Sequence, residues 1–174
     1  LGQKIESLAR AMGFGTVLIS ERKRAPVRDG RTIFQVVLKD ATVVVLCCPR
    51  DATTVNLIGK EELRMMRRDA CLINMARGGI VNEQALADAL RHGWISAAAT
   101  DVLDLEPAPL GSSPLLPKLG EEPVPNLTIS PHVSWFSVKT VETLQKLLKD
   151  GVEGVVGGEP PESNIAIHNG KIYK

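Results

Sequence analysis

Thr42-Val43-Val44-Val45-Leu46-Cys47 is an unbroken apolar, β-branched run that stops before Pro49, and runs like it recur between stretches with helical spacing. A strand with one wet face alternates apolar and polar residues, so a run without alternation has both faces covered. The other runs are residues 16–20, 70–74, 95–102 and 127–130. Between and around them the spacing predicts helices over residues 3–12, 32–39, 60–66 and 138–152, and one that Asn82 caps and that runs to His92 with Gly93 beyond it. Residues 105–125 hold six prolines, which predicts an irregular loop. Strands that alternate with helices and are buried on both faces imply an α/β fold, a doubly wound parallel sheet.

At 174 residues, 44% hydrophobic and 24% charged, the chain is long enough for one domain with a real core. Its net charge of +1, with signs mixed, gives no electrostatic footprint for nucleic acid or an anionic membrane. No apolar run approaches a bilayer span. Cys47, Cys48 and Cys71 cannot all pair and lie in apolar runs, so they read as buried, reduced thiols of a cytoplasmic protein. No His or second Cys stands at ligand spacing, so no metal is expected.

The chemistry is concentrated at successive predicted strand ends: Asn74-Met75-Ala76-Arg77-Gly78-Gly79, then Asp101 with Glu106-Pro107, then Pro131-His132. An Arg presents a planar fork for a carboxylate or carbonyl, a His titrates near neutrality, and a Glu can orient the imidazole and favour its charged form. Each residue alone also has a plain structural reading: Arg77 in a surface turn, His132 as a satisfied structural His, Asp101 as a cap, Glu106 opening the proline-rich loop. His92 suits a helix C-terminus, and His168 lies in the tail. Glu21 points to an adenosine ribose and NAD, whereas Arg22, Lys23 and Arg24 point to a 2′-phosphate and NADP, or to solvated loop charge.

Residues 74–79, with Val81-Asn82-Glu83, Ala85-Leu86, Cys48-Pro49, Asn56-Leu57-Ile58, Asp101-Val102, Pro114-Leu115 and Ser130-Pro131-His132, resemble the D-isomer-specific 2-hydroxyacid dehydrogenases. Glu21-Arg22-Lys23 and the basic loop after it resemble the glycerate dehydrogenase or hydroxypyruvate reductase branch most. The resemblance implies that Arg77 binds the carboxylate and carbonyl of a 2-oxoacid, that His132 is the acid/base, and that Glu106 pairs with it. It further implies that Asp101 contacts the nicotinamide carboxamide, and that Cys48, Pro49, Met75 and Ala76 line an NAD or NADP site. The full-length enzyme it implies is a homodimer acting on hydroxypyruvate or glyoxylate. Cys47 stands where many relatives have His.

Gly2 matches the last glycine of the family's G-x-G-x-x-G turn. The expectation is therefore a partial dinucleotide-binding domain over residues 1–156, lacking its first, central strand, and a tail over 157–174 that returns to an absent substrate domain. Ile165, Ile167 and Ile172 are spaced as a weak strand in that tail. Such a fragment is expected to be inactive alone, and its sheet to split, with the runs 16–20 and 42–47 on one side of the gap and the other three opposite. A non-catalytic dinucleotide-binding interaction module of the corepressor kind, or an inactive remnant, remains as an alternative reading.

Overall fold

The computed structural model of the chain describes residues 1–158, 167–168 and 171–172. It forms two compact units, Leu1–His132 and Val133–Lys174. The first unit contains α1 (Gly2–Ala11), α2 (Phe34–Asp40), β1 (Val43–Leu46), α3 (Lys60–Met65), β2 (Cys71–Asn74), α4 (Glu83–Arg91), β3 (Ala97–Thr100) and β4 (Leu127–Ile129). The four strands form one sheet in the order β1-β2-β3-β4, and every pair in it is parallel. The α/β expectation holds, and the fold is Rossmann-like.

Packing explains why these segments settle where they do. Leu72 of β2 is 1% exposed and belongs to one core cluster with Leu38 of α2, Leu63 of α3, and Leu86 and Leu90 of α4, so helices and sheet bury a common apolar interior. Side chains of that size contribute about 1.5–3 kcal/mol each on full burial. Asn82 caps α4, its side-chain oxygen accepting from the Ala85 N–H at 2.9 Å. Asn82→Ala is expected to destabilise the chain by about 1 kcal/mol. Urea unfolding followed by circular dichroism measures it, and an unchanged midpoint would show that the cap contributes nothing.

Two expectations are corrected. Residues 16–20 do not form a strand of the sheet; only Ser20 bridges, in parallel, to Thr32, with the Thr32 N–H donating to the Ile19 carbonyl and the Glu21 N–H to the Thr32 carbonyl, both at 2.8 Å. A ladder needs a neighbour along its length, and this run has one only at its last residue. The run 42–47 does not stand with 16–20 across a gap from residues 70–74 either: Val43 pairs with Cys71 and Leu46 with Asn74. β1 is the edge of the four-stranded sheet, and Val43 there is half-exposed.

In the second unit α5 runs over Val138–Val156, longer than expected because Gly151 and Gly154 are accommodated within it and Gly157 ends it. Ser137 is its N-cap, accepting from the Thr140 N–H at 3.1 Å. β5 (Ile167–His168) and β6 (Lys171–Ile172) pair antiparallel; Ile165 of the expected tail strand lies outside the described residues. Among the described residues, no helix is long and apolar enough to cross a membrane.

Candidate active site

Strand register assembles the site. Leu46 is level with Asn74, Asn74 with Thr100, and Thr100 with Ile129, so the four strands of the sheet end together. The residues that follow, Cys47-Cys48-Pro49, Met75-Ala76-Arg77, Asp101 and Ser130-Pro131-His132, therefore all leave at the carboxyl edge, where open α/β sheets take their ligands. A groove of about 480 Å³ opens there, lined by Cys48, Pro49, Arg50, Met75, Ala76 and Arg77 among others.

The turn that carries Arg77 is built by Asn74. Its side-chain oxygen accepts from the Ala76 N–H at 3.1 Å and its amide donates to the Arg77 carbonyl at 3.2 Å. Arg77 Nη1 donates to the Ala76 carbonyl at 2.7 Å, which braces the guanidinium against its own turn. Gly78 then lies so close to the next strand-end turn that a Cβ on it would stand 1.8 Å from the Leu103 carbonyl oxygen.

That contact links Arg77 to the other two residues. The Leu103 N–H donates to Glu106 Oε1 at 2.7 Å, and Glu106 Oε2 meets His132 Nδ1 at 2.6 Å. Glu106 thus holds its own loop with one oxygen and the imidazole with the other. Burial raises the Glu106 pKa, but the hydrogen bonds from His132 and Leu103 outweigh it and leave the carboxyl below its ordinary value. His132 sits at φ 56°, a left-handed conformation uncommon outside glycine, while its N–H donates to the Ser130 carbonyl at 3.0 Å. Asp101, 6% exposed, accepts from the Ser130 hydroxyl at 2.5 Å.

The rest of the expected set lies at the start of α1 and in the loop that follows residue 20. A Cβ on Gly2 would stand 3.3 Å from Cys47 Sγ, so a glycine there lets the start of α1 come close to the end of β1. Glu21 is 3% exposed, and its carboxylate accepts four hydrogen bonds, from the Arg22 and Arg28 N–H groups and from Nε and Nη2 of Arg28. The Arg28 guanidinium and the Arg22 N–H hold its carboxyl down to about 2. Arg22 and Arg24 are exposed, whereas Lys23 is tied to the buried Glu62 at 2.6 Å. A helix start beside an open groove, with basic residues beyond it, fits a dinucleotide.

One cysteine reading is corrected, because Cys47 is exposed where β1 gives out at the groove, while Cys48 and Cys71 are half-buried; all three are free thiols. Burial pushes the Cys48 and Cys71 thiols up. Sequence reasoning did not find Arg28, Ser130 or the bracing role of Asn74. Ser130 had a local signal, one position before Pro131-His132, but the partner of Arg28 lies across a loop with no periodicity.

Comparison with known proteins agrees with this geometry. The sequence profile of the D-isomer specific 2-hydroxyacid dehydrogenase NAD binding domain matches residues 1–134. A Haemophilus influenzae protein bearing a provisional 2-hydroxyacid dehydrogenase name is 43% identical over 157 residues, 90% of this chain and 49% of that protein. The glycerate dehydrogenase of Methylorubrum extorquens is 37% identical over 160 residues, 92% of this chain and 48% of its own. A Sinorhizobium meliloti NADPH-dependent glyoxylate/hydroxypyruvate reductase, solved with NADP and malonate, superposes with a TM-score of 0.72 at 26% identity, covering 94% of this chain and 50% of that one. The chain spans about half the length of these relatives. With the profile covering its strands and its strand-end residues alike, the chain belongs to the D-isomer specific 2-hydroxyacid dehydrogenase family, whose NAD-binding domain it carries.

Proposed function

We propose that this domain binds NAD or NADP along the groove and, joined to the substrate-binding half of such enzymes, interconverts a small 2-oxoacid, such as hydroxypyruvate or glyoxylate, with its D-2-hydroxy acid. The observation that carries the reading is the 2.6 Å contact between His132 Nδ1 and Glu106 at the carboxyl edge of the sheet. Arg77 clamps the substrate carboxylate and carbonyl with its fork, which orients the carbonyl carbon. His132 Nε2 gives a proton to the carbonyl oxygen in reduction and takes it back in oxidation, and Glu106 holds the ring in place through Nδ1. The nicotinamide cofactor supplies or accepts the hydride. Asp101, held by Ser130, orients the carboxamide, Cys48, Pro49, Met75 and Ala76 wall the site, and Gly2 admits the pyrophosphate near α1. A homodimer is in keeping with the exposed apolar residues Leu144, Leu148 and Val152 of α5, and a cytoplasmic setting with the three free thiols.

The test is a chimera in which residues 1–174 replace the matching half of the Methylorubrum enzyme, assayed with hydroxypyruvate and glyoxylate and either cofactor. Turnover with one of the acids is expected, and a cooperatively folded chimera inert with both would defeat the proposal. Glu106→Gln in that enzyme keeps the side-chain shape but removes the carboxylate that holds His132 Nδ1 at 2.6 Å, and is expected to lower kcat by about tenfold or more while KM for the acid changes little. An unchanged kcat would separate Glu106 from the acid/base.

A further inference from the structure

We infer that Arg28, by locking the Glu21 carboxylate, sets the adenosine end of the groove to receive a 2′-phosphorylated ribose through Arg22 and Arg24. The inference rests on the proposed dinucleotide site and deepens it, since cofactor preference at such a site turns on one question: whether the acidic residue about twenty positions past the glycine turn is available to a ribose hydroxyl.

Here the geometry answers it. A carboxylate offers about four lone-pair sites, and Glu21 fills four, at 2.9 and 2.8 Å on Oε1 and 3.2 and 2.7 Å on Oε2. Arg28 supplies three of the donors, two of them as the parallel N–H bonds of a guanidinium fork. A ribose 2′-hydroxyl can donate to Glu21 only by displacing one of these charge-assisted bonds, and the side chain, 2% exposed, has no room to turn outward. The same fork cancels the negative charge that would repel a 2′-phosphate.

The cations that remain are not equivalent. Lys23 is drawn away to Glu62, whose other oxygen accepts from the Gly59 N–H at 3.0 Å, so the pair belongs to the start of α3. Arg22 and Arg24 are exposed. Arg22, whose N–H donates to Glu21 Oε1 at 2.9 Å, stands directly beside the locked carboxylate. Arg28 is thus a positioning residue, and Arg22 the phosphate contact expected to matter most.

The test is titration of the 174-residue chain with 2′-AMP and with 3′-AMP, followed by backbone amide shifts, since neither mononucleotide carries the 5′-phosphate that calls on the pyrophosphate turn. The expected result is that 2′-AMP binds about tenfold to a hundredfold tighter, the worth of one or two charge-assisted bonds, with the largest shifts at Arg22 and Arg24. Arg22→Ala should remove the preference. Arg28→Gln should release Glu21 and bring the two affinities within about threefold, less than half of one such bond. Glu21→Gln, which keeps the side-chain shape, should leave the preference for 2′-AMP in place and serves if Arg28→Gln does not fold. Equal binding of the two nucleotides by the unaltered chain would overturn the inference while leaving the dinucleotide site standing. Binding of neither would overturn both.

Discussion

His132→Ala, in the chimeric enzyme, is expected to lower kcat for hydroxypyruvate or glyoxylate reduction by about 10²- to 10⁴-fold, because the alkoxide formed at the substrate carbon then has no positioned proton donor. Cofactor affinity should change little, since the ring is held by Glu106 and by its own left-handed backbone at the strand end. Arg77→Lys should lose most turnover as well, but by another route: an ammonium is a point charge and cannot reproduce the parallel two-bond clamp. Its loss is expected in both kcat and KM, whereas that of His132→Ala lies in kcat. Steady-state assays of both variants decide the matter, and rates within a few-fold of the parent for either would remove that residue from its role.

Gly78→Ala should act on folding rather than on chemistry. The added Cβ would meet the Leu103 carbonyl oxygen at 1.8 Å and the Asp104 nitrogen at 2.8 Å, both backbone atoms of the neighbouring turn. Neither can swing aside as a side-chain tip would, so the two turns must separate, and a loss of about 3 kcal/mol or more is expected. Gly93→Ala is the control: its φ is +63° with nothing within 4 Å of the new Cβ, so only the conformational cost of about 1 kcal/mol applies. Denaturant midpoints for the two variants should therefore differ clearly. A Gly78→Ala chain as stable as Gly93→Ala would show that the close approach is not maintained in solution.

The elements that sequence made legible are those whose signal is local. Asn82 before an apolar periodic stretch marks α4 to the residue, and the short apolar runs within 43–46 and 71–74 mark strands, in which the alternate residues Val44, Leu46 and Leu72 are the buried ones. Residues 16–20 have the same look, yet their pairing is decided by what lies beside them, which no composition encodes. The partner of 42–47 went wrong for a related reason: Val43–Leu46 lie beside Cys71–Asn74, and no local pattern in either run names its neighbour. At the site, Arg77, Asp101, Glu106 and His132 stand out as residue types at strand ends. Arg28 does not, because the fork that gives it meaning closes across a loop of basic residues that reads as solvated charge.

The common ending of the four strands has a consequence for how such a domain can change over time. Because Leu46, Asn74, Thr100 and Ile129 fix the level at which each connection departs, the segments beyond them can be exchanged in length and content without moving their points of attachment. A gain or loss of one residue within a strand is different in kind, since it turns each side chain beyond it to the opposite face of the sheet and carries the buried set outward. The strands thus behave as a fixed frame and the departing segments as replaceable parts, so variation that alters substrate choice is to be sought after the strand ends, and lengths within the strands should tolerate almost none.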